Sequence, residues 1–150
     1  EMAWIVFPHT YNKMLPPGQT EYMMEWMYSE ESLHKQMTQD GHIYYLAFKG
    51  DEPAGYLSIQ LEAEHVYHLQ KIYVLPHFQG LKLGKLLFNH AIKSIKELHP
   101  EPCQMRLNVN RDNTKAVEFY QRMGMSKVFE GDFEIGQGYL MTDYIMGLDI

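Results

Sequence analysis

The segment Gln79-Gly80-Leu81-Lys82-Leu83-Gly84 joins a predicted strand over residues 66–75 to a predicted helix over Leu83–Leu98. The first residues of a helix have backbone N–H groups without an intrahelical acceptor, and they lie at the positive end of the helix dipole. Glycines beside such a helix start let an anionic ligand approach the backbone closely. The segment therefore predicts a turn that binds phosphate groups.

Five predicted strands and one predicted helix flank this unit. Ahead of it, a strand over Ile43–Lys49, a turn over 50–53 and a strand over 54–61 have the composition of an antiparallel hairpin. After it, the alternation of Met105, Leu107 and Val109 predicts a strand, and residues 114–123 predict a helix that ends at Gly124. Two closing strands are predicted over 125–130 and 139–146.

The first forty residues predict helices. Residues 1–11 resemble the end of a helix that runs into a proline, and Pro16-Pro17-Gly18 precedes a second helix. Ser29 is predicted to cap a third helix that continues to Met37.

Composition limits the class of protein. With 150 residues, 45% of them hydrophobic, the chain is predicted to form a single domain over 1–150 with a sizeable core. The formal charge of −6 argues against a nucleic-acid partner and favours a cationic substrate. The single cysteine, Cys103, excludes an intrachain disulfide and is typical of the cytoplasm, and the sequence has no apolar run of the roughly 20 residues that span a membrane.

The order of these elements, together with four spaced residues, resembles the GNAT superfamily of acyl-CoA-dependent N-acetyltransferases. Gln79 and Gly84 match the turn signature of that superfamily, and Asn113 and Tyr120 match its later Asn and Tyr, seven residues apart. The resemblance covers most of the chain. It implies an α/β (α+β) fold with a mixed, mostly antiparallel central sheet and helices on both faces. Flanking segments such as 119–124 and 142–146 are similar to bacterial spermidine/spermine N-acetyltransferases.

The resemblance also implies a chemistry, which is direct attack of a neutral amine on the thioester of acetyl-CoA without a covalent enzyme intermediate. In the family, two neighbouring strands part and expose backbone groups that bind the pantetheine and the thioester carbonyl. The cofactor-binding residues implied for this chain are Ile72, Tyr73, Val74, Gln79, Gly80, Leu81, Lys82, Leu83, Gly84, Lys85, Asn113 and Tyr120.

Two side chains are predicted to transfer protons. Tyr120 carries over from the family as the donor to the departing thiolate, although its helical spacing equally suits a packing residue. His68 stands eleven residues before Gln79, where family members often place a catalytic Glu, and histidine titrates near neutrality. The alternative for His68 is a structural histidine. Reserve candidates for the base, or for holding a cationic amine, are Glu30, Glu31, Glu62 and Glu64.

No metal site and no nucleophilic thiol are predicted. Regular alternation along the strand puts His68 on one face with Gln70, Ile72 and Val74, and His65 on the other, which argues against a metal pair. Cys103 follows Pro100-Glu101-Pro102 with no predicted base beside it.

Two features depart from the family pattern. Lys82 occupies the place of the signature's first glycine, where a side chain crowds a turn of positive φ. The family usually opens with a strand before its first helix, and this sequence offers no counterpart to that strand ahead of Glu1. Either the recorded chain is incomplete, or a homodimer partner or an exposed edge takes that place. Residues 22–27, rich in methionine and aromatic side chains, then form a dimer contact, a substrate wall or part of the core, and core packing is preferred.

Two functions follow. The first is an enzyme that acetylates a small-molecule primary amine, with polyamines the favoured class and no membrane or nucleic acid involved. The second is a non-catalytic module of the same fold that binds CoA or contacts another protein.

Overall fold

The computed structural model describes residues 2–3, 14–16, 18–80 and 82–150. The helices are α1 (Gln19–Tyr28), α2 (Glu30–Thr38), α3 (Leu83–Leu98) and α4 (Thr114–Arg122). The strands are β1 (Ile43–Lys49), β2 (Glu52–Ala63), β3 (Val66–Val74), β4 (Gln104–Asn110), β5 (Ser126–Gly136) and β6 (Tyr139–Asp149). A 3₁₀ turn, Pro76–Phe78, connects β3 to the turn before α3. The predicted helix over 1–11 lies outside the described residues except for Met2 and Ala3, which are helical.

The strands form one sheet in the order β1-β2-β3-β4-β6-β5. Every neighbouring pair is antiparallel except β3 and β4, which are parallel. The predicted mixed, mostly antiparallel sheet is confirmed. The closing strands are longer than predicted, because β5 and β6 continue pairing through the polar segment 131–136 and as far as Asp149.

Helices cover both faces of the sheet. On one face, apolar side chains of α3 such as Phe88 and Ile95 pack with Val117 of α4 and with Leu57 and Met105 of the sheet. On the other face, α1 packs its apolar side chains against Tyr56 of β2, and that cluster comprises Ala3, Met23, Met24, Tyr28 and Tyr56. Met23 and Met24 are therefore core residues of this second layer, as preferred from the sequence, whereas Trp26 is exposed.

The parallel strands β3 and β4 touch at one end and then part. Their register pairs Val66 with Gln104, Tyr67 with Met105 and His68 with Arg106. Beyond His68 the described strand β3 continues to Val74 with β2 as its recorded partner. A wedge-shaped gap therefore opens between the two strands at the centre of the sheet.

A β-bulge lies at the start of this gap. On β2 the neighbours Ser58 and Ile59 pair with Lys71 and Leu69, so that Gln70 is the extra residue. The bulge shifts the alternation of side chains by one position. Leu69 therefore faces the α3 layer, and so do Ile72 and Val74 beyond the bulge, which pack against the same apolar cluster.

The predicted face of His68 is wrong for this reason. The sequence analysis placed His68 with Ile72 and Val74 on regular alternation, but the extra residue at Gln70 intervenes. His68 lies instead on the face that carries Lys71, whose ammonium group reaches α1 and α2.

Among the residues that the structure describes, no helix is long and apolar enough to cross a lipid bilayer.

Candidate functional site

A cleft of about 1100 Å³ occupies the gap between the parted strands and continues between the starts of α3 and α4. Its walls include most of the predicted cofactor-binding residues. Those that line it are Ile72, Tyr73, Val74, Gln79, Gly80, Lys82, Leu83, Gly84, Lys85, Asn113 and Tyr120. Leu81, also predicted to bind the cofactor, lies outside the described residues. His68 is not among the lining residues, although its neighbours Leu69 and Gln70 are.

The turn before α3 offers backbone donors to the cleft. The first hydrogen bond of α3 runs from the N–H of Leu86 to the carbonyl of Lys82, at 3.1 Å. The amides of Leu83, Gly84 and Lys85 come before it and have no intrahelical acceptor. An anion at this point would meet both these N–H groups and the positive end of the helix dipole.

The surroundings of the turn suit phosphate groups in both space and charge. A Cβ added to Gly80 would meet no atom within 4 Å, and one added to Gly84 would touch only the Phe119 ring, at 3.6 Å. Lys82 and Lys85 line the cleft and contribute two positive charges. The residues present therefore fit the diphosphate of a CoA-type ligand.

Lys82 adopts the backbone conformation that the sequence analysis identified as unfavourable for a side chain. It caps α3 with φ 63° and ψ 18°, in the left-handed region, and its side chain makes no capping hydrogen bond. Gly80 has φ 85°. Two of the residues that the structure describes in this turn are therefore left-handed, and one of these two is not a glycine.

Gln79 fastens the turn to the end of β3. Its side-chain amide donates a hydrogen bond to the carbonyl of Val74 at 3.1 Å. The position of the helix start relative to the exposed edge of β3 is thus maintained by a direct contact between two predicted site residues.

Tyr120 and Asn113 both have structural roles in α4. Tyr120 is buried beside the rings of Phe88 and Phe119, with centroids 6.2 and 5.4 Å away. Asn113 caps α4, because its side-chain oxygen accepts a hydrogen bond from the N–H of Ala116 at 3.3 Å. Both residues also line the cleft, so the packing interpretation and the functional one are compatible.

His68 lies where β3 and β4 part, and it is paired with a carboxylate. Its Nδ1 is 3.2 Å from Glu62 Oε2, and the His68 side chain is buried whereas that of Glu62 is half-exposed. A carboxylate beside Nδ1 favours the tautomer with the proton on that nitrogen, which leaves the lone pair on Nε2. Glu62, a reserve candidate, is thereby placed beside His68 itself. Glu30, Glu31 and Glu64 are exposed.

Asp143 is a buried acid that the sequence analysis missed. It lies on β6, only 2% exposed, and accepts a hydrogen bond from the side chain of Asn108 at 3.1 Å. Burial raises the pKa of Asp143, while the hydrogen bond from Asn108 and the charges of Arg111 and His68 lower it. Asn108 lines the cleft, so Asp143 lies directly behind the wall of the gap. A lone acidic residue within an apolar strand was the available signal.

Lys71 is a second missed residue, buried beneath α1 and α2. Its ammonium group donates hydrogen bonds to Gln36 Oε1 at 2.9 Å, to the carbonyl of Met27 at 3.2 Å and to the hydroxyl of Tyr44. It also lies 4.1 Å from the centre of the Tyr28 ring. Burial lowers the pKa of Lys71 to about 7. All three N–H donors of the ammonium have acceptors, so Lys71 joins the sheet to both helices.

Cys103 is buried at the start of β4, and burial raises the pKa of its thiol. A thiol of raised pKa forms less thiolate and is a poor nucleophile.

Comparison with known proteins places this architecture among acetyltransferases. The model of the acetyltransferase (GNAT) family matches residues 7–125. The peptidyl-lysine N-acetyltransferase YjaB of Salmonella typhimurium is 29% identical over 96 residues, which are 63% of this chain and 58% of that protein. The match thus spans little more than half the length of that relative. An uncharacterized N-acetyltransferase of Lactobacillus delbrueckii is 26% identical over 93% of this chain and 83% of its own length.

Solved structures share the fold. The PaiA N-acetyltransferase of Thermoplasma acidophilum, crystallised in complex with coenzyme A, superposes with a TM-score of 0.79 at 23% identity, covering 99% of this chain and 89% of that one. The ribosomal-protein-S18-alanine N-acetyltransferase of Escherichia coli gives 0.67 at 18% identity, with 91% of each chain covered.

Proposed function

The chain belongs to the acetyltransferase (GNAT) family, and from that premise we propose that it transfers the acetyl group of acetyl-CoA to a primary amine by direct attack. One observation carries the proposal. The amides at the start of α3 and residues 72–74 of β3 line the same cleft, and Gln79 connects them.

The proposal divides the cofactor between two backbone surfaces. The amides of Leu83, Gly84 and Lys85 would bind the diphosphate, and the ammonium groups of Lys82 and Lys85 would add charge attraction. The backbone of residues 72–74 would bind the pantetheine and polarise the thioester carbonyl. When bound, acetyl-CoA supplies the activated acyl group, and Tyr120 would donate a proton to the sulfur as it departs.

The amine is proposed to react at the mouth of the gap, on the face that carries His68. An ammonium substrate must lose a proton before its nitrogen can attack, and His68 Nε2 is the available acceptor, directly or through a water molecule. Glu62 would orient the imidazole by accepting a hydrogen bond from Nδ1. The acidic side chains nearby favour a cationic substrate.

Polyamines are the proposed substrate class. The support is the net charge of −6, the carboxylates of Glu62 and Asp143 near the gap, and the likeness of the flanking segments to polyamine acetyltransferases. A lysine side chain in a peptide or protein is the second candidate, because a curated relative is named a peptidyl-lysine N-acetyltransferase. The single cysteine supports a cytoplasmic location as part of the same proposal.

The test is release of free CoA thiol from acetyl-CoA with spermidine, a lysine-containing peptide and a free amino acid offered separately. We expect turnover that requires an amine and is highest with spermidine. If acetyl-CoA binds but no free thiol forms in the presence of any of the amines, the proposed enzymatic activity is contradicted and a non-catalytic module is favoured. If only the peptide supports turnover, the proposed acetyltransferase activity stands and the proposed polyamine specificity is wrong.

The same assay tests the base. His68→Gln should lower kcat by about 100-fold, the scale of general base catalysis. His34→Gln, on the exposed surface of α2, is the matched control and should behave as the parent protein.

A further inference from the structure

A cluster of two histidines and a glutamate lies at the end of the sheet where β3 and β4 are joined, away from the open gap. His65 occupies the turn between β2 and β3, His99 follows the last residue of α3, and Glu101 lies in the loop that leads to β4. The nitrogen and oxygen atoms that these three side chains offer all lie within 4.8 Å of one another. We propose that they form a binding site for a divalent transition-metal ion, with zinc(II) the ion that the donors fit best.

The donor atoms face one another. His65 Nδ1 is 2.8 Å from His99 Nε2 and 3.8 Å from Glu101 Oε2. Two nitrogen ligands at about 2.05 Å around a tetrahedral zinc ion are roughly 3.3 Å apart. The imidazoles would therefore separate by about 0.5 Å to admit the ion, which rotation of side chains on turn and loop residues can provide. A water molecule would complete the coordination, as in other His₂Glu sites.

A fourth residue orients the first ligand. Glu64 Oε1 lies 3.5 Å from His65 Nε2, the ring nitrogen that faces away from the cluster. A carboxylate on that side favours the proton on Nε2 and leaves the lone pair of Nδ1 directed at His99 and Glu101. Carboxylates in this outer position are typical of histidine ligands in metal sites.

The backbone holds the ligands in place. His65 has φ 58°, a left-handed conformation, and its carbonyl accepts a hydrogen bond from the N–H of Gln104 at 2.9 Å. The N–H of His99 donates to the carbonyl of Ile95 at 2.7 Å. The ammonium group of Lys96 on α3 donates to the carbonyl of Glu101 at 3.2 Å. The turn is thus tied to β4 and the Glu101 loop to α3, so little chain entropy is lost when a metal binds.

No metal site was predicted from the sequence, because the one pair considered was His65 with His68, which regular alternation puts on opposite faces of the strand. The fold brings His65 instead to residues from a distant part of the chain. A metal here would join the β2–β3 turn to α3 and β4, beside the three residue pairs that hold β3 and β4 together before they part. The bound metal would stabilise the fold and would take no part in the proposed acetyl transfer.

The experiment is calorimetric titration of the full chain, stripped with chelator, with zinc chloride. We expect one equivalent to bind with micromolar affinity and to raise the melting temperature. His99→Gln, Glu101→Gln and His65→Asn should each weaken binding by about 10-fold or more and reduce the zinc-induced stabilisation. Asn is chosen at His65 because it tolerates the left-handed conformation. His34→Gln is the matched control and should bind zinc as the parent protein does.

Absence of saturable binding to the parent protein would overturn the proposal without reference to any variant. Equal binding by the parent and all three variants would also overturn it, by placing the zinc elsewhere. If an imidazole variant fails to fold, Glu101→Gln still decides the outcome, since that side chain is exposed.

Discussion

Lys82 carries the main departure of this chain from its family at the scale of a single residue. A lysine in the left-handed region costs roughly 1–2 kcal/mol relative to the right-handed one, and its φ of 63° is fixed by the turn on which α3 begins. The side chain of Lys82 thus adds a positive charge to the cleft, while its backbone conformation costs stability. The sequence alone indicated this conflict, because a motif glycine marks a backbone position of positive φ.

Replacing Lys82 with glycine should separate strain from charge. We expect Lys82→Gly to raise the free energy of unfolding by about 0.5–1 kcal/mol, because glycine adopts positive φ without steric cost. Lys85→Gly is the matched control, since Lys85 lies within α3 and glycine there should lower stability by about 1 kcal/mol. Urea denaturation of the two variants measures both effects. A loss of stability in Lys82→Gly would contradict the account.

A substitution at Tyr120 can show whether this packed side chain also donates a proton in the reaction. Tyr120→Phe retains the ring contacts with Phe88 and Phe119 and removes only the hydroxyl. We expect kcat to fall by about 10- to 100-fold while the Kd for acetyl-CoA stays within about twofold. Turnover and calorimetric binding give the two numbers. A parallel loss of both would assign the hydroxyl to structure.

At the scale of the element, β3 determines the site. This one strand contains the end that pairs with β4, the bulge at Gln70 and the segment 72–74 that borders the gap. Its limits were predictable from the sequence to within one residue, since hydrophobic side chains and Pro76 delimit it locally. The bulge at Gln70 was not predictable in the same way. The bulge depends on the register in which β3 pairs with β2, and neither strand has a sequence pattern that specifies this register.

Gly55 allows β2 to pack closely against the end of β3, on the side of that strand opposite the gap. A Cβ at Gly55 would lie 2.6 Å from the carbonyl oxygen of Tyr73 and 3.3 Å from Cα of Val74, both backbone atoms. Gly55→Ala should therefore displace β3, lower stability by about 2 kcal/mol and weaken acetyl-CoA binding.

Gly131→Ala on β5 is the control for Gly55→Ala. Its nearest atoms belong to the side chains of Phe129 and Phe133, which can rotate away, so the loss should stay below about 1 kcal/mol. Equal losses in the two variants, measured by thermal or urea denaturation, would contradict a special role for Gly55.

At the scale of the whole molecule, local signals predicted the elements and the fold class, and long-range contacts determined the rest. The turn at 79–84, the helix Leu83–Leu98 and the cap at Asn113 are encoded in adjacent residues. The surroundings of Asp143 behind the gap and of Lys71 beneath the helices could not be predicted from the sequence, because their hydrogen-bond partners come from other elements. The predicted enzyme class and acetyl-CoA cosubstrate agree with the family to which the chain belongs.

Stability of the whole fold should depend on pH through Lys71. Burial lowers its pKa to about 7, from 10.5 in the unfolded chain, so between these values the unfolded state binds more protons than the folded one. The free energy of unfolding should therefore rise by a few kcal/mol between pH 7 and pH 10. Above pH 10 the trend should reverse, because burial raises the pKa of Tyr44 to about 12 and the unfolded state deprotonates first.

Urea denaturation at pH 7 and pH 9.5 measures the effect of Lys71. Lys71→Met keeps an unbranched side chain of similar length and removes the titration, so its stability should change less between these two pH values. The Lys71 and Tyr44 side chains face His42 and Tyr28, which the parent and Lys71→Met share. An identical pH dependence in the parent and in Lys71→Met would refute the assignment.

The central claim is that the start of α3 and the open edge of β3 together bind acetyl-CoA. The most direct measurement is titration of the isotopically labelled protein with acetyl-CoA, followed through its backbone amide resonances by NMR. The account predicts saturable shifts of the amides of Gly80, residues 83–85 and residues 72–74, while those of β5 stay in place. Unmoved amides at 80–85 in the presence of saturating acetyl-CoA would contradict it.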